Sequence, residues 1–269
     1  MFHFRSFIGI DYSGAQKCDS PLKGLRVFEG SLDAPPCEVR VTSDGRTHWS
    51  RQGVALWLVN KLSSNKHPCF VGIDHGFSFP VDYFSLHGIN QDWDSFLDDF
   101  VHYWPTQQAG ISVADLLRSQ KLKSPSRLGE SRWRRLTEQR SRGAKSVFHF
   151  AVPGSVASST HAGLSWIHFL RSHPQLKNKV HFWPFDGWLP AEEKSVVAEV
   201  YPSLWNKNFP INAPSQDQHD AWVVAHMLRS KAVSGELMDW FDPERWNKIR
   251  LSQTEREIAS FEGWILGLN

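Results

Sequence analysis

The sequence predicts an α/β domain, and three observations carry that prediction. Residues 4–11 are an aromatic and β-branched run that stops at Asp11 and the turn Tyr12-Ser13-Gly14-Ala15. Residues 69–73, Cys-Phe-Val-Gly-Ile, form a second short apolar run that ends at Asp74, the pattern of a strand covered on both faces. Between them, Val54, Trp57, Leu58 and Leu62 recur at the spacing of a helix over 51–62.

The other elements follow in order. Residues 25–32 and 38–49 read as extended, the latter interrupted by Ser43-Asp44-Gly45-Arg46, whose Asp-Gly is a tight-turn signal. The chain from 4 to 49 is therefore expected as an antiparallel meander, and the order to Asp74 as β-β-β-α-β. A helix is predicted over 92–103, with Trp93, Phe96, Leu97 and Phe100 on one face. Residues 154–171 are expected as a helix with a small, polar, capped start, and 180–183 as a short strand before Pro184-Phe185-Asp186-Gly187. A strand over 195–201 stops at Pro202, and a helix over 217–230 carries the stripe Ala221, Val224, Ala225 and Leu228. Short helices close the chain over 243–268, burying Trp246, Ile249, Ile258, Phe261 and Ile265.

Composition narrows the function classes. At 269 residues, with 41% hydrophobic and 22% charged, the chain suits one α/β domain with insertions. No run of 18 apolar residues occurs and the N-terminus lacks a signal-peptide pattern, so no membrane span is expected and the cytoplasm is the expected location. Three cysteines without CxxC spacing argue against a disulfide framework or structural zinc. Thirteen histidines form no HExxH pair, and thirteen tryptophans read as packing residues. Without GxxxxGK[ST], GxGxxG or GxSxG, P-loop hydrolysis and serine hydrolase chemistry are unsupported.

Acidic residues sit at the ends of these elements. Asp11 closes the first strand, Asp74 the fourth, Glu199 lies in the last, and Asp217 and Asp220 open a helix from one side of its first turn. Carboxylates gathered at one sheet edge repel, so they take raised pKa values or a cation between them. Hard oxygen ligands suit Mg²⁺ or Mn²⁺. Each acid also has an ordinary reading: Asp11 as a turn former, Asp217 as a first-turn charge, Glu199 as a partner for Lys194.

Four stretches, Ile8-Gly9-Ile10-Asp11-Tyr12-Ser13-Gly14-Ala15, Val71-Gly72-Ile73-Asp74-His75-Gly76-Phe77-Ser78-Phe79-Pro80, Ala198-Glu199-Val200-Tyr201-Pro202-Ser203 and Asp217-Gln218-His219-Asp220-Ala221, occur in this order. Together they resemble a family of uncharacterised proteins, a domain of unknown function classed as predicted nucleases of RNase H fold, over about residues 6–230. The resemblance implies a two-metal site with Asp11, Asp74 and Asp220 as ligands and Asp217 as a further ligand or support. It implies Glu199, within Glu-Val-Tyr-Pro, as ligand or base. One ion would activate the attacking water and the other stabilise the leaving oxygen. Ser13 and the amides of Gly14 and Ala15 could meet a phosphate.

From Arg118 to Lys145 ten basic residues face only Glu130 and Glu138. Within that segment Arg132-Trp133-Arg134-Arg135 interleaves an aromatic with arginines, as a backbone-gripping, base-stacking surface needs. The alternative is a solvated segment whose charge does nothing specific. The expected molecule is a single RNase H-like α/β domain over 1–269. It has a mixed five-stranded sheet, first three strands antiparallel, helices on both faces, a basic helical insertion at about 105–150 and a C-terminal helical extension at about 235–269. Its expected function is metal-dependent phosphodiester hydrolysis with a nucleic-acid partner, and a homodimer would suit a two-stranded target. The rivals are a non-catalytic nucleic-acid-binding protein on the same fold and an actin-like ATPase or phosphotransferase. The latter fits Gly9 to Gly14 but lacks a second copy of the phosphate loop.

Overall fold

The computed structural model describes residues 4–41, 47–123, 127–152, 154–211, 213–242 and 250–268, with the backbone alone at 120–123. A mixed six-stranded sheet runs β1 (Ser6–Asp11), β2 (Arg26–Ser31), β3 (Cys37–Glu38), β4 (Cys69–Asp74), β5 (Val180–Trp183) and β6 (Ser195–Glu199). Its order is β3-β2-β1-β4-β6-β5. The first three strands pair antiparallel, as expected, while β4, β6 and β5 continue from β1 in parallel. The sheet has six strands rather than five because 180–183 hydrogen-bonds to β6 as an outer edge. The third strand is far shorter than 38–49, and the Ser43–Arg46 turn lies outside the described residues, as do Trp246 and Ile249.

Helices cover both faces. On one lie α1 (Arg51–Ser64), α3 (Trp93–Tyr103) and α6 (Ala157–Ser172), sharing a core with Ile8, Ile10, Val71, Ile73 and Val197. Ser50 and Asp92 cap α1 and α3 by accepting from Gly53 N and Ser95 N. On the other face α7 (Gln216–Val233) and α8 (Leu237–Trp240) pack with Phe7, Phe70, Val196 and Ala198. Period-two alternation thus sends Ile8 and Ile10 one way, and Phe7, Gly9 and Asp11 the other. Ahead of the insertion lies α2 (Val81–His87), a helix the sequence did not signal; the insertion, expected to be helical, supplies α4 (Val113–Lys123) and α5 (Leu136–Arg140), and α9 (Gln253–Glu262) packs on α3 and α5. No helix among the described residues is long and apolar enough to cross a membrane.

One contact positions everything at the carboxyl ends of the strands. Gly9 of β1 and Gly72 of β4 are register partners, and so are Asp11 and Asp74 two residues on. The repeated Gly-Ile-Asp therefore presents two glycines and, beyond them, two aspartates to the α7 face. A Cβ on Gly9 would lie 2.2 Å from the Ala221 carbonyl oxygen and 2.5 Å from the Ala225 amide nitrogen of α7. On Gly72 it would meet side chains instead, Val224 Cγ1 at 2.7 Å and Val200 Cγ1 at 2.9 Å. Backbone cannot yield as a valine rotamer can. Gly9→Ala is accordingly expected to cost roughly 3 kcal/mol or more and Gly72→Ala about 1–2 kcal/mol. Urea unfolding reads both, and equal losses would show that α7 is not held by that backbone approach.

Candidate metal centre

The helix seated on those glycines delivers its first turn to the strand ends. Asp11, Asp74, Asp217 and Asp220 line one open cleft of about 640 Å³, with Tyr12, Ser159, Tyr201, Asn206, Lys207 and His219 among the other walls. Each of the four aspartates is half-buried. Asp217 stands close enough to Asp11 for its charge to act on the Asp11 carboxyl. Burial first, then the charges of Asp74, Asp217 and Asp220, push the Asp11 carboxyl well above the usual carboxylate range. Burial, Asp220 and Glu199 do the same to Asp74. Asp220 is oriented by amide donors, its Oδ1 accepting from Asn206 Nδ2 at 3.1 Å and Gln216 Nε2 at 2.8 Å. These are oxygen donors of the kind that hold Mg²⁺ or Mn²⁺. As they stand, no three His, Cys, Asp or Glu side chains among the described residues are arranged to enclose one ion. The donor chemistry fits a hard divalent cation, which would relieve the repulsion that raises the Asp11 and Asp74 carboxyls.

Glu199 stands apart from this set. It pairs in register with Ile73, one residue short of Asp74, and so belongs to the opposite side of the sheet. Its partner is not Lys194 but Arg135, whose Nη1 and Nη2 donate to Glu199 Oε2 and Oε1 at 2.7 and 2.6 Å. Glu199 Oε2 also accepts from the Phe77 amide at 2.9 Å, which fixes the turn that follows Asp74. Arg135 is only 1% exposed and in addition donates Nε to Glu138 Oε1 at 2.8 Å. The residue expected to grip nucleic acid is therefore a core cation. Beside it, Glu262 accepts from the Val81 and Leu136 amides, and burial lifts its carboxyl to about 7.

The rest of the basic segment is largely engaged by the protein itself. Arg134 donates to the carbonyls of Glu138 and Ala144, and Arg140 pairs with Glu255. Arg127 pairs with Asp99 and lies over the Tyr103 ring. Trp133 is half-buried against the core, with its ring 6.4 Å from Phe148. Arg132 does face solvent, 79% exposed, paired with Glu130. Lys145 reaches the acids from another side, lining a small recess with Asp74, Tyr201 and Glu199.

Ser13 and Gly14 do not line the cleft; the Gly14 Cα packs on the Ser158 backbone at the start of α6. The loop carrying them is fixed from below by the buried Arg51, which donates to the carbonyls of Ser13, Ala15 and Gln16 at 2.7–3.0 Å. Sequence reading missed Asn206 and Lys207. Their only signal was a position in the loop that joins the last strand to the acidic helix.

Protons retained by Asp11 and Asp74 make stability depend on pH. The unfolded chain releases them near pH 4, while the folded chain holds them higher, so stability falls as pH rises above about 4 until the folded carboxyls also ionise. At pH 8 without divalent cations, Asp11→Asn is expected to melt above the wild type. Adding Mn²⁺ should raise the wild-type Tm and leave the variant unmoved; a variant that gains as much would remove Asp11 from the site. Comparison with family models, curated proteins and solved structures finds no match, so the functional reading rests on the geometry of this cleft.

Proposed function

We propose that the protein is a metal-dependent phosphodiester hydrolase, a nuclease of RNase H-like type. The observation that carries this reading is the convergence of Asp11, Asp74, Asp217 and Asp220 on one open cleft. The finer fold assignment is supported by three antiparallel strands, a parallel β4 beside β1, and an acidic helix packed across both. In that reading β5 is an added edge strand.

Asp11, Asp74, Asp217 and Asp220 would hold Mg²⁺ or Mn²⁺, which when bound lowers the pKa of water and stabilises a leaving oxygen. The chain's own contribution is placement. Asn206 and Gln216 tie down one oxygen of Asp220 and leave the other for ligation. The ammonium of Lys207, on the wall of a cleft otherwise rich in carboxylates, offsets the charge of an incoming phosphate. Glu199 acts at one remove, positioning the turn after Asp74 through its bond from the Phe77 amide.

The test is cleavage of single-stranded, duplex and branched DNA and RNA with Mn²⁺, beside Asp11→Asn and Asp74→Asn proteins. Wild-type cleavage abolished by EDTA and lowered at least about a thousandfold in either variant is the expected result. Binding by the wild type without metal-dependent cleavage would replace the hydrolase with a binding protein on the same scaffold. Lys207→Ala should raise KM for the cleaved substrate about tenfold with little change in kcat, and should flatten the salt dependence of binding.

A further inference from the structure

Tyr12 borders the acidic cleft and also a small cavity of about 10 Å³ between the sheet and helices α1 and α6, the room of a single water molecule. Alternation along the strands sends the residue after each central aspartate to this side. Tyr12 follows Asp11, His75 follows Asp74, and both line the cavity with Arg51 of α1 and Trp166 of α6. Each of these four carries a buried polar atom that makes no hydrogen bond with any other described residue: Tyr12 Oη, Arg51 Nε, His75 Nε2 and Trp166 Nε1. The wall between them is largely aliphatic, with Val54, Leu58 and Leu170 bringing no polar side chain.

The remaining nitrogens of Arg51 and His75 are already engaged. Arg51 Nη1 and Nη2 donate to the carbonyls of Ser13, Ala15 and Gln16, which leaves Nε. His75 Nδ1 lies 2.9 Å from the Gly76 carbonyl oxygen, which only accepts, so Nδ1 carries the proton and Nε2 of the neutral ring offers a lone pair. That ring meets Tyr12 edge-on, with centroids 4.6 Å apart, and its Nε2 is turned to α6, 2.4 Å from where a Cβ on Gly163 would stand. Gly163 and Trp166 are three apart on α6 and so share a face.

We infer that this cavity is a binding site for one internal water molecule, which joins the ends of β1 and β4 to α1 and α6. The four groups match what a water offers. Arg51 Nε–H and Trp166 Nε1–H only donate, His75 Nε2 only accepts, and the Tyr12 hydroxyl does either. One water accepts from the guanidinium and the indole and donates to the imidazole and the phenol, which completes its own four bonds. A buried polar group without a partner is costly, and four of them around one small space share a single remedy. The volume admits water and no larger ligand. The site stands independently of the chemistry proposed for the cleft, because none of the four cleft aspartates lines it.

A crystal structure of the full-length protein, at a resolution that shows ordered water, is the direct test. One water should lie within about 2.6–3.2 Å of at least three of the four atoms. A cavity without density, or four atoms bonded to protein groups instead, overturns the site. Should no such crystals grow, NMR of the full-length protein decides. The Trp166 indole N–H is identified by the signal lost in Trp166→Phe or, if that variant fails to fold, by direct assignment. It should show a water cross-peak of opposite sign in NOE and rotating-frame spectra, the mark of a bound water rather than of exchange. The cross-peak should persist in Tyr12→Phe, which removes the hydroxyl proton that would otherwise relay it. No cross-peak in the wild type, or its loss in Tyr12→Phe, overturns the site.

Discussion

The approach of α7 to the sheet at Gly9 is the constraint on which the rest of the molecule depends. Two parallel neighbours carry the same Gly-Ile-Asp, in register. Bare backbone lets the helix settle against the strands, where a Cβ would strike the Ala221 carbonyl. The isoleucines between glycine and aspartate turn to the other face and join the core beneath α1 and α6. Because the helix is seated so closely, its first turn ends above the strand termini, and Asp217 and Asp220 meet Asp11 and Asp74. Packing and electrostatics are thus settled by one register: the same alternation that admits the helix aims the acids at its N-terminal turn.

A second constraint holds the other side of the strand ends. Arg135 is buried with Glu138 and Glu199, and its position near Glu262 gathers α5, β6 and α9 around one guanidinium. Burying such charges is costly, and a buried ion pair adds little net stability over an apolar equivalent; removing one partner, however, leaves a charge without solvent or counter-ion. The network is better understood as an arrangement that fixes geometry. Through the Phe77 amide it sets the turn after Asp74, and through α5 it anchors the insertion beside the cleft. The insertion's arginines, so prominent in the sequence, are for the most part its own fastenings.

At the cleft these constraints gather acids whose burial and mutual repulsion raise the Asp11 and Asp74 carboxyls. Protons retained by Asp11 and Asp74 are one resolution, and in the proposed reading a divalent cation is the other. In that reading proton and cation compete for the same oxygens, so protonation, stability and metal affinity would form one equilibrium. Tyr201 and Ser155 line both this cleft and the recess that holds Lys145, so the acids are approached by cationic side chains from two directions.

Much of this was legible in the sequence, and the remainder was hidden for definite reasons. Apolar runs ending in aspartate located β1 and β4, and apolar spacing located α1, α3, α6 and α7, because burial on a sheet or against a helix imposes its period on the residues. The four aspartates of the cleft were each singled out in that way. Parity was available too: Glu199 lies two residues from Val197, whose side chain joins the core on the far face, so its separation from Asp74 could have been read once register with β4 was known. Register itself is a property of the paired strands and of neither one alone. The same holds for Arg135, which sits among arginines that look alike in the chain; only three-dimensional proximity to Glu199 makes it a core cation. The helix α2 escaped notice because it is short, and the insertion was expected to be helical without bounds for α4, whose apolar stripe is weak among basic residues. What the sequence determined by itself was which residues are apolar, at what spacing, and where charge interrupts them. Which charges meet, and which of them face solvent, was decided only when β4 and β6 paired and α7 closed on the two glycines, since electrostatic energy depends on distances that the order of residues does not contain.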